Sequence, residues 1–232
     1  MKSNASNKYI VDEHIIVISG LPRSGTSMMM KMLSVCKIPL LVDDLREPDE
    51  DNPKGYYEFN RVKDLEGDNS WLNLACGAAV KIVSPLLPHL NMDMGIKYKI
   101  IFMLRDIDEI LASQKKMADR LGHAEDNVED SILKQNYSVH LEQVKKWLEQ
   151  QKNIDVLYLN YADVVSNPVS TIESIIAFLG IELDAQDIEE VVDSSLYRQR
   201  AVQADDQSTT VISGEKGDQE IIMERLRHLG YL

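Results

Sequence analysis

The amino-acid sequence predicts an α/β fold in which a central parallel sheet of about four to five strands is flanked by helices. Three observations lead to this prediction. Short aliphatic runs of strand length alternate along the chain with segments of helical period. The first run passes through a glycine-containing loop directly into a helix, and 44% hydrophobic residues in a chain of 232 are enough for one buried core. We therefore expect a single domain over residues 13–232, preceded by a flexible tail at residues 1–12.

The strands are predicted from β-branched and aliphatic runs that end at glycine or at charged residues. The run HIIVIS at residues 14–19 stops at Gly20, and YKIIFML at residues 98–104 is the clearest strand pattern in the chain. Further strands are predicted at residues 78–83 and 154–159, with a shorter one at residues 38–42. Ligands of parallel sheets bind at the carboxyl ends of the strands, so functional residues should follow these runs directly.

The helices are predicted from apolar spacing and from residues that favour helix ends. Pro168 stands at the start of a helix and Gly180 at its end, the positions that these residues prefer. Helices are predicted at residues 27–36, 60–74, 128–151 and 168–180, after Asp108, and as shorter elements at residues 185–193 and 218–228. Residues 43–54 are acidic, contain two prolines and show no period, so we expect a loop there.

Charge and cysteine usage restrict the classes of partner. A formal net charge of −13 is unsuited to wrapping nucleic acid, because phosphate neutralisation needs a basic surface. No apolar run approaches the about 18 residues of a membrane span, and the first residues contain no signal-peptide core. Cys36 and Cys76 have no metal-ligand or disulfide spacing, so we expect both to be buried free thiols. These features predict a cytoplasmic protein that acts on a small molecule, without nucleic acid or membrane as a partner, and leave the oligomeric state open.

The loop after the first strand has the pattern of a phosphate-binding loop. In GLPRSGTS, residues 20–27, Gly20 and Gly25 have the spacing of G-x-x-x-x-G-K-[ST]. Such glycines let successive backbone N–H groups point at an anion, and the following helix N-terminus adds partial positive charge. The Lys that reaches the terminal phosphates of a nucleoside triphosphate is replaced by Thr26, and a cation stands three residues earlier at Arg23. The loop therefore predicts anion binding with a cation at a different position from that of kinases and ATPases.

A second anion site is predicted after the strand at residues 98–104. Arg105 follows this strand and Ser113 lies eight residues later on a helix, so both side chains can face one pocket. A guanidinium together with a hydroxyl suits a phosphate dianion. The alternative is a surface arginine paired with a nearby carboxylate, together with an ordinary helical serine.

These motifs resemble those of the sulfotransferase family, which uses PAPS (3′-phosphoadenosine 5′-phosphosulfate) as its donor. PRSGTS at residues 22–27 is similar to the family's loop P-[KR]-S-G-T-[ST], and the spacing from Arg105 to Ser113 is similar to that of its 3′-phosphate site. A third similar segment, residues 154–181, contains Tyr161, which the resemblance places near adenine and which a packed aromatic role would also explain. The resemblance covers residues 14–232 and implies a P-loop-like fold. The donor-binding residues that it implies are Arg23, Ser24, Gly25, Thr26, Ser27, Arg105, Ser113, Tyr161, Arg198 and Lys216.

The resemblance also implies an activity, the in-line transfer of a sulfuryl group from PAPS to a hydroxyl or amine of a small-molecule acceptor. We expect Arg23 to stabilise the leaving group, since an arginine carries charge without acting as an acid near neutral pH. Lys81 is expected to steady the sulfonate, and a structural lysine is the alternative. No metal is expected. At the C-terminal end the match is poorer, because Glu215 stands where the family has an Arg before Lys216.

The general base is sought among histidines and carboxylates that follow strands or the first helix. Some members of the family carry Lys-Thr-His-x-Pro after a strand, but the segment KIVSP has Val83 at the His position. Other branches use a Glu downstream of the first helix, and the segment NPKGYYEF supplies Glu58. We predict Glu58 as the base, with Glu47 as the alternative.

Two other functions stay open. A small-molecule or nucleotide kinase would share the fold and the loop, but Thr26 argues against it. A non-catalytic nucleotide-binding protein on the same scaffold would explain the missing histidine, because a fold does not by itself establish a function.

Overall fold

Four parallel strands form the centre of the protein in a computed structural model that describes residues 14–43, 55–92, 95–122, 129–182 and 218–232. The strands are β1 (His14–Gly20), β2 (Ala79–Lys81), β3 (Lys97–Leu104) and β4 (Ile154–Asn160), in the spatial order β2-β1-β3-β4. The pairing of β1 with β3 runs from His14 opposite Lys97 to Gly20 opposite Met103. The predicted α/β fold with a central parallel sheet is confirmed.

Six α-helices and three 3₁₀ helices lie in the described part of the chain. The α-helices are α1 (Thr26–Val35), α2 (Ile107–Leu121), α3 (Asp130–Gln150), α4 (Tyr161–Ser166), α5 (Pro168–Leu179) and α6 (Asp218–His228). The 3₁₀ helices are Asn60–Asp64, Ser70–Ala75 and Ser84–His89. Local sequence accounts for several ends: Asp106 caps α2 by accepting from the Glu109 N–H at 3.1 Å, and α2 and α5 each end at a left-handed glycine.

Both faces of the sheet are buried at β1 and over most of β3, which explains why these two strands are apolar without alternation, whereas the edge strand β4 is partly exposed. Successive residues of β1 point to opposite faces, so Ile15 and Val17 belong to one core while Ile16 and Ile18 belong to the other. The larger core includes side chains from α2, α3 and α6, and the smaller one includes side chains from α1 and α5. The prediction of helices on both faces is thus confirmed.

The strand order creates a crevice at the carboxyl ends of β1 and β3. The chain passes from β1 to β2 on one side and then returns to β3 on the other side of β1. Connections that leave two neighbouring parallel strands in opposite directions leave room for a ligand between them. The phosphate-loop residues follow β1 and Arg105 follows β3, so both predicted motifs lie at this crevice.

Three sequence-based expectations are wrong in detail. Residues 38–42 form no strand but a single bridge from Leu40 to Ala79, and residues 60–74 form two 3₁₀ helices where one helix was predicted. Cys36 is buried as expected, but Cys76 is exposed, because it follows the second 3₁₀ helix at the surface. The tail at residues 1–12 and the helix predicted at 185–193 lie outside the described residues, and the single-domain organisation stays a prediction. Within the described residues, no helix has the length and apolar character needed to cross a membrane.

Candidate active site

The loop between β1 and α1 has the backbone of an anion-binding turn. Gly20 and Gly25 have φ values of 145° and 102°, and Arg23 adopts the left-handed conformation with φ 75°. The Ser24 N–H closes a turn on the Leu21 carbonyl at 3.1 Å, and α1 begins immediately after Gly25. Loops of this kind present several N–H groups and a helix N-terminus to one anion.

Space as well as conformation requires glycine at Gly20 and Gly25. A Cβ on Gly25 would lie 2.7 Å from Cδ2 of Tyr161, and one on Gly20 would lie 2.6 Å from the Met103 carbonyl oxygen. Both distances are shorter than van der Waals contact, so a larger residue would displace the end of β3 or the Tyr161 ring. The sequence-predicted glycine pair is therefore explained by its neighbours.

The two predicted anion motifs meet at Arg23. Its Nε donates to Ser113 Oγ at 3.0 Å, across 90 residues of chain, and its carbonyl accepts from a terminal guanidinium nitrogen of Arg105 at 3.0 Å. The sequence predicted that Arg105 and Ser113 face one pocket. The structure places both against the phosphate loop, with the Ser113 hydroxyl bonded to Arg23.

Arg105 is also held by a carboxylate and an aromatic ring. Its Nε donates to Glu109 at 2.7 Å, and its guanidinium carbon lies 4.2 Å from the centroid of the Tyr161 ring. The ion pair that the alternative interpretation foresaw is thus present, together with the contact to the loop. Burial raises the pKa of Tyr161, so its hydroxyl stays protonated beside these charges. Sequence reasoning missed Glu109 as the partner of Arg105, although its position four residues later, in the first turn of α2, would have indicated it.

The hydroxyl groups of the loop suit an anion. Ser24 is fully buried, and its Oγ has no hydrogen-bond partner among the described residues. Buried hydroxyls are normally paired, so an orphan donor in a glycine-rich turn fits a site built for a bound group. Thr26 is buried at the start of α1, and Ser27 Oγ donates to the Tyr56 carbonyl at 3.2 Å. The residues present fit the 5′-phosphate end of a nucleotide.

Lys81 and Glu58 form a second charged centre next to the end of the loop. Lys81 is 4% exposed, and its Nζ lies 3.0 Å from Glu58 Oε1 and 3.5 Å from Ser27 Oγ. Nζ also donates to the Tyr56 carbonyl in a short hydrogen bond. A buried ammonium requires such partners, since an uncompensated buried charge is strongly destabilising. The two residues predicted separately for the acceptor reaction are therefore brought together.

A strained turn carries Glu58 into this position. Gly55 has φ 93°, and Tyr57 has φ 52°, a left-handed conformation that is uncommon for an aromatic residue. The Glu58 carbonyl then accepts from the Asp43 N–H at 2.8 Å, and the Asp43 carboxylate accepts from the Asn60 N–H at 2.6 Å. These bonds hold a backbone that would otherwise relax, and strain of this kind collects at functional sites.

A small cleft, open to solvent, lies against the charged pair. Its walls are mainly apolar and aromatic, with a second lysine at the rim. The lining residues are Glu58, Phe59, Val62, Lys63, Lys81, Val83 and Tyr231. Tyr231 comes from the turn after α6, its ring centroid is 5.8 Å from Lys81 Nζ, and no sequence pattern indicated it. Val83, at the position of the family's histidine, lines the same cleft.

Three predicted residues, Glu47, Arg198 and Lys216, lie outside the described residues. The structure brings together the other candidates, with Arg23, Ser113 and Arg105 around the loop and Glu58 and Lys81 beside Ser27. Among the described residues, no group of three or more His, Cys, Asp or Glu side chains has the arrangement of a metal site.

Comparisons with known proteins match the chain to one family. Residues 12–222 match the family model of the sulfotransferase domain. Sulfotransferase 2A1 of Rattus norvegicus is 24% identical over 211 residues, which are 84% of this chain and 69% of that protein. Sulfotransferase 1A1 of Mus musculus is 25% identical over 194 residues, covering 79% and 65% of the two chains.

A solved structure shares the fold. The crystal structure of mouse sulfotransferase SULT7A1 complexed with PAP (3′-phosphoadenosine 5′-phosphate) superposes with a TM-score of 0.53 at 16% identity. The match covers 79% of this chain and 64% of that one, so the chain spans about two thirds of the length of these relatives. With nine tenths of its residues inside the family model, this chain belongs to the sulfotransferase family.

Proposed function

We propose that the protein transfers a sulfuryl group from PAPS to a hydroxyl or amine of a small-molecule acceptor and releases PAP. One observation carries the proposal. The phosphate loop, which lacks a lysine, contacts Arg105 on one side and the Lys81–Glu58 pair on the other. Membership of the sulfotransferase family and the PAP complex of the mouse relative support it. Nothing in these comparisons favours the kinase alternative.

The donor would be held by residues of the loop, by Arg105 after β3 and by residues of α2 and α4. Loop N–H groups with Ser24, Gly25, Thr26 and Ser27 suit the 5′-phosphosulfate. Arg105 and Ser113 suit the 3′-phosphate, because a guanidinium forms strong charge-assisted hydrogen bonds to phosphate oxygens. Tyr161 is proposed to lie beside the adenine. Further contacts from Arg198 and Lys216 stay predictions.

In the reaction, bound PAPS supplies a sulfur centre at which a new bond to the acceptor atom forms while the bond to the phosphate oxygen breaks. Arg23 stabilises the negative charge that collects on the departing phosphate. Lys81 stabilises the sulfonate oxygens, and Glu58 accepts the proton that the acceptor hydroxyl or amine loses. Lys81 lies between Ser27 and Glu58, so it can support both the loop and the base.

The partners of the protein follow from the same proposal. The apolar cleft at Glu58 suits a small organic acceptor, and we propose neither nucleic acid nor a membrane as a partner. The cytoplasmic location stays a prediction.

Titration of the purified chain tests the donor site. We expect PAP to bind at least about tenfold more tightly than ADP or than ATP with Mg²⁺, and Arg105→Ala to remove this preference. Arg61→Ala is the matched control, because Arg61 pairs with Asp68 at an exposed site in the first 3₁₀ helix. Tighter binding of ATP with Mg²⁺ would overturn the proposal.

Transfer from radiolabelled PAPS to a panel of phenols, alcohols and amines tests the activity. Turnover of at least one acceptor that is lost on substitution of Arg23 by Ala supports the proposed reaction. PAP binding without turnover of any acceptor would favour the non-catalytic alternative.

A further inference from the structure

Three contacts hold Arg23 in its left-handed conformation. Ser113 binds its side chain, and Arg105 binds its carbonyl oxygen. The third contact is made one residue earlier, where Gln114 Nε2 donates to the Pro22 carbonyl oxygen at 3.2 Å. The φ angle of Arg23 is set by the peptide plane that carries the Pro22 carbonyl, and its ψ angle by the plane of its own carbonyl. Gln114 and Arg105 therefore hold the two planes that together define this conformation.

Gln114 is itself fixed by its surroundings. Its side chain is fully buried, and its Oε1 lies 2.9 Å from the Tyr137 hydroxyl of α3 and 3.4 Å from Arg225 Nε of α6. An arginine nitrogen can only donate, so a flipped amide would set its NH₂ against Arg225 and its oxygen against the Pro22 carbonyl. The donors on Oε1 thus direct Nε2 at the phosphate loop.

From this arrangement we infer that Gln114 is a positioning residue for sulfuryl transfer, which orients Arg23 by holding the Pro22 carbonyl. Tyr137 and Arg225 hold Gln114 in place, so helices α3 and α6 are linked to the loop by hydrogen bonds through one buried amide. Gln114 neighbours Ser113, and the two consecutive residues of α2 hold the side chain and the backbone of the same catalytic arginine. The inference rests on the proposed function, because Arg23 is assigned to the departing phosphate there.

A double-mutant cycle on PAP binding, followed by titration calorimetry, tests the inference. Gln114→Met keeps the volume of the side chain but removes the donor to Pro22. Losing one buried hydrogen bond is expected to weaken PAP binding about tenfold in the wild-type background. In the Arg23→Ala background Gln114→Met should weaken PAP binding less than about twofold, because the guanidinium that Gln114 orients is gone. A merely structural glutamine would give the same factor in both backgrounds, and that result would overturn the inference.

Two further variants keep the test decisive. Gln114→Glu retains an acceptor for Tyr137 and Arg225, so we expect it to fold, yet it presents no amide donor to Pro22 and should also weaken PAP binding. Thr171→Val in α5 is the matched control, since it removes another buried side-chain hydrogen bond to a carbonyl, that of Asn167 at 3.0 Å, and should leave the affinity unchanged.

Failure of the inference and failure of the proposed function give different results. A wild-type chain that shows no preference for PAP over ADP overturns both. A wild-type chain that prefers PAP, together with Gln114→Met and Gln114→Glu variants whose PAP affinity is unchanged from that of the wild type, overturns the role of Gln114 alone.

Discussion

The proposed donor side and the proposed acceptor side of the site are built in different ways. The donor side uses the backbone of eight consecutive residues, 20–27, with positive φ angles at Gly20, Arg23 and Gly25. Arg105 and Ser113 close it from one further segment. The acceptor side uses the side chains of Glu58, Lys81 and Tyr231, which come from three separate segments. A site made from backbone leaves a contiguous signature in the sequence, whereas a site made from distant side chains does not.

The two sides nevertheless share one backbone feature and are joined by one residue. Each contains a non-glycine residue in the left-handed conformation, Arg23 on the donor side and Tyr57 on the acceptor side. Strained residues persist only where their neighbours hold them, as the contacts to Arg23 show. The connection is Ser27, which ends the loop and lies within hydrogen-bond reach of both Lys81 and the Tyr56 carbonyl.

The largest effect that separates the two sides is expected from Glu58→Gln. This substitution keeps the shape but removes the proton acceptor, so transfer to a hydroxyl acceptor should fall by about 100-fold or more. PAP affinity measured by calorimetry should change less than about threefold, because Glu58 is linked to Ser27 of the loop through Lys81. Loss of PAP binding in this variant would show that the two sides are not separable.

The converse effect is expected from Gly25→Ala. A Cβ at φ 102° is strained and meets the Tyr161 ring at 2.7 Å, so PAP affinity should fall by about 50-fold. Gly122→Ala is the matched control, because Gly122 has φ 69° with no atom within 4 Å of its added Cβ. We expect that control to lower thermal stability with PAP affinity intact. Equal PAP affinities of the two variants would contradict the role assigned to the close approach at Gly25.

An effect of intermediate size is expected on the pH dependence of stability, through His140, which contacts the segment after Lys81. His140 Nε2, in α3, lies 2.9 Å from Ser84 Oγ, and Ser84 begins the 3₁₀ helix that follows Lys81. Burial lowers the pKa of His140 from 6.5 to about 4. As the pH falls, His140 is therefore protonated in the unfolded chain before it is protonated in the folded protein. The free energy of unfolding that is present above pH 6.5 is lost as the pH falls toward 4. Between pH 7 and pH 5 this amounts to about 2 kcal/mol.

Urea unfolding as a function of pH measures this effect. His140→Gln, which retains a polar partner for Ser84, should flatten the acid limb of the stability curve. An unchanged slope in that variant would assign the acid sensitivity to other groups.

The smallest effect is expected from Tyr231→Ala. Its ring lines the cleft and approaches Lys81, so removing it should raise KM for an aromatic acceptor by about five- to tenfold. Tyr231→Phe retains the ring and should behave as the wild type. A change in PAP affinity equal to the change in acceptor KM would place Tyr231 on the donor side.

The sequence by itself determined the strand-loop-helix order, the parallel sheet and the position of the glycine-containing loop that carries Arg23. Each of these depends on local features, such as β-branched runs, a glycine pair at fixed spacing, and Pro168 and Gly180 at the ends of a helix. It also proposed Glu58 and Lys81 as separate candidates. The division of residues 60–74 into two 3₁₀ helices was missed, because its apolar spacing is equally compatible with one α-helix.

Only the tertiary structure decided which side chains meet. The bond from Arg23 to Ser113 spans 90 residues, and the Lys81–Glu58 pair and the Gln114 contact to Pro22 join elements that the chain separates widely. Such partners are selected by the order β2-β1-β3-β4, which brings the ends of β1, β2 and β3 to one edge of the sheet. Local sequence does not predict that order, because strand order is set by long-range packing of both sheet faces.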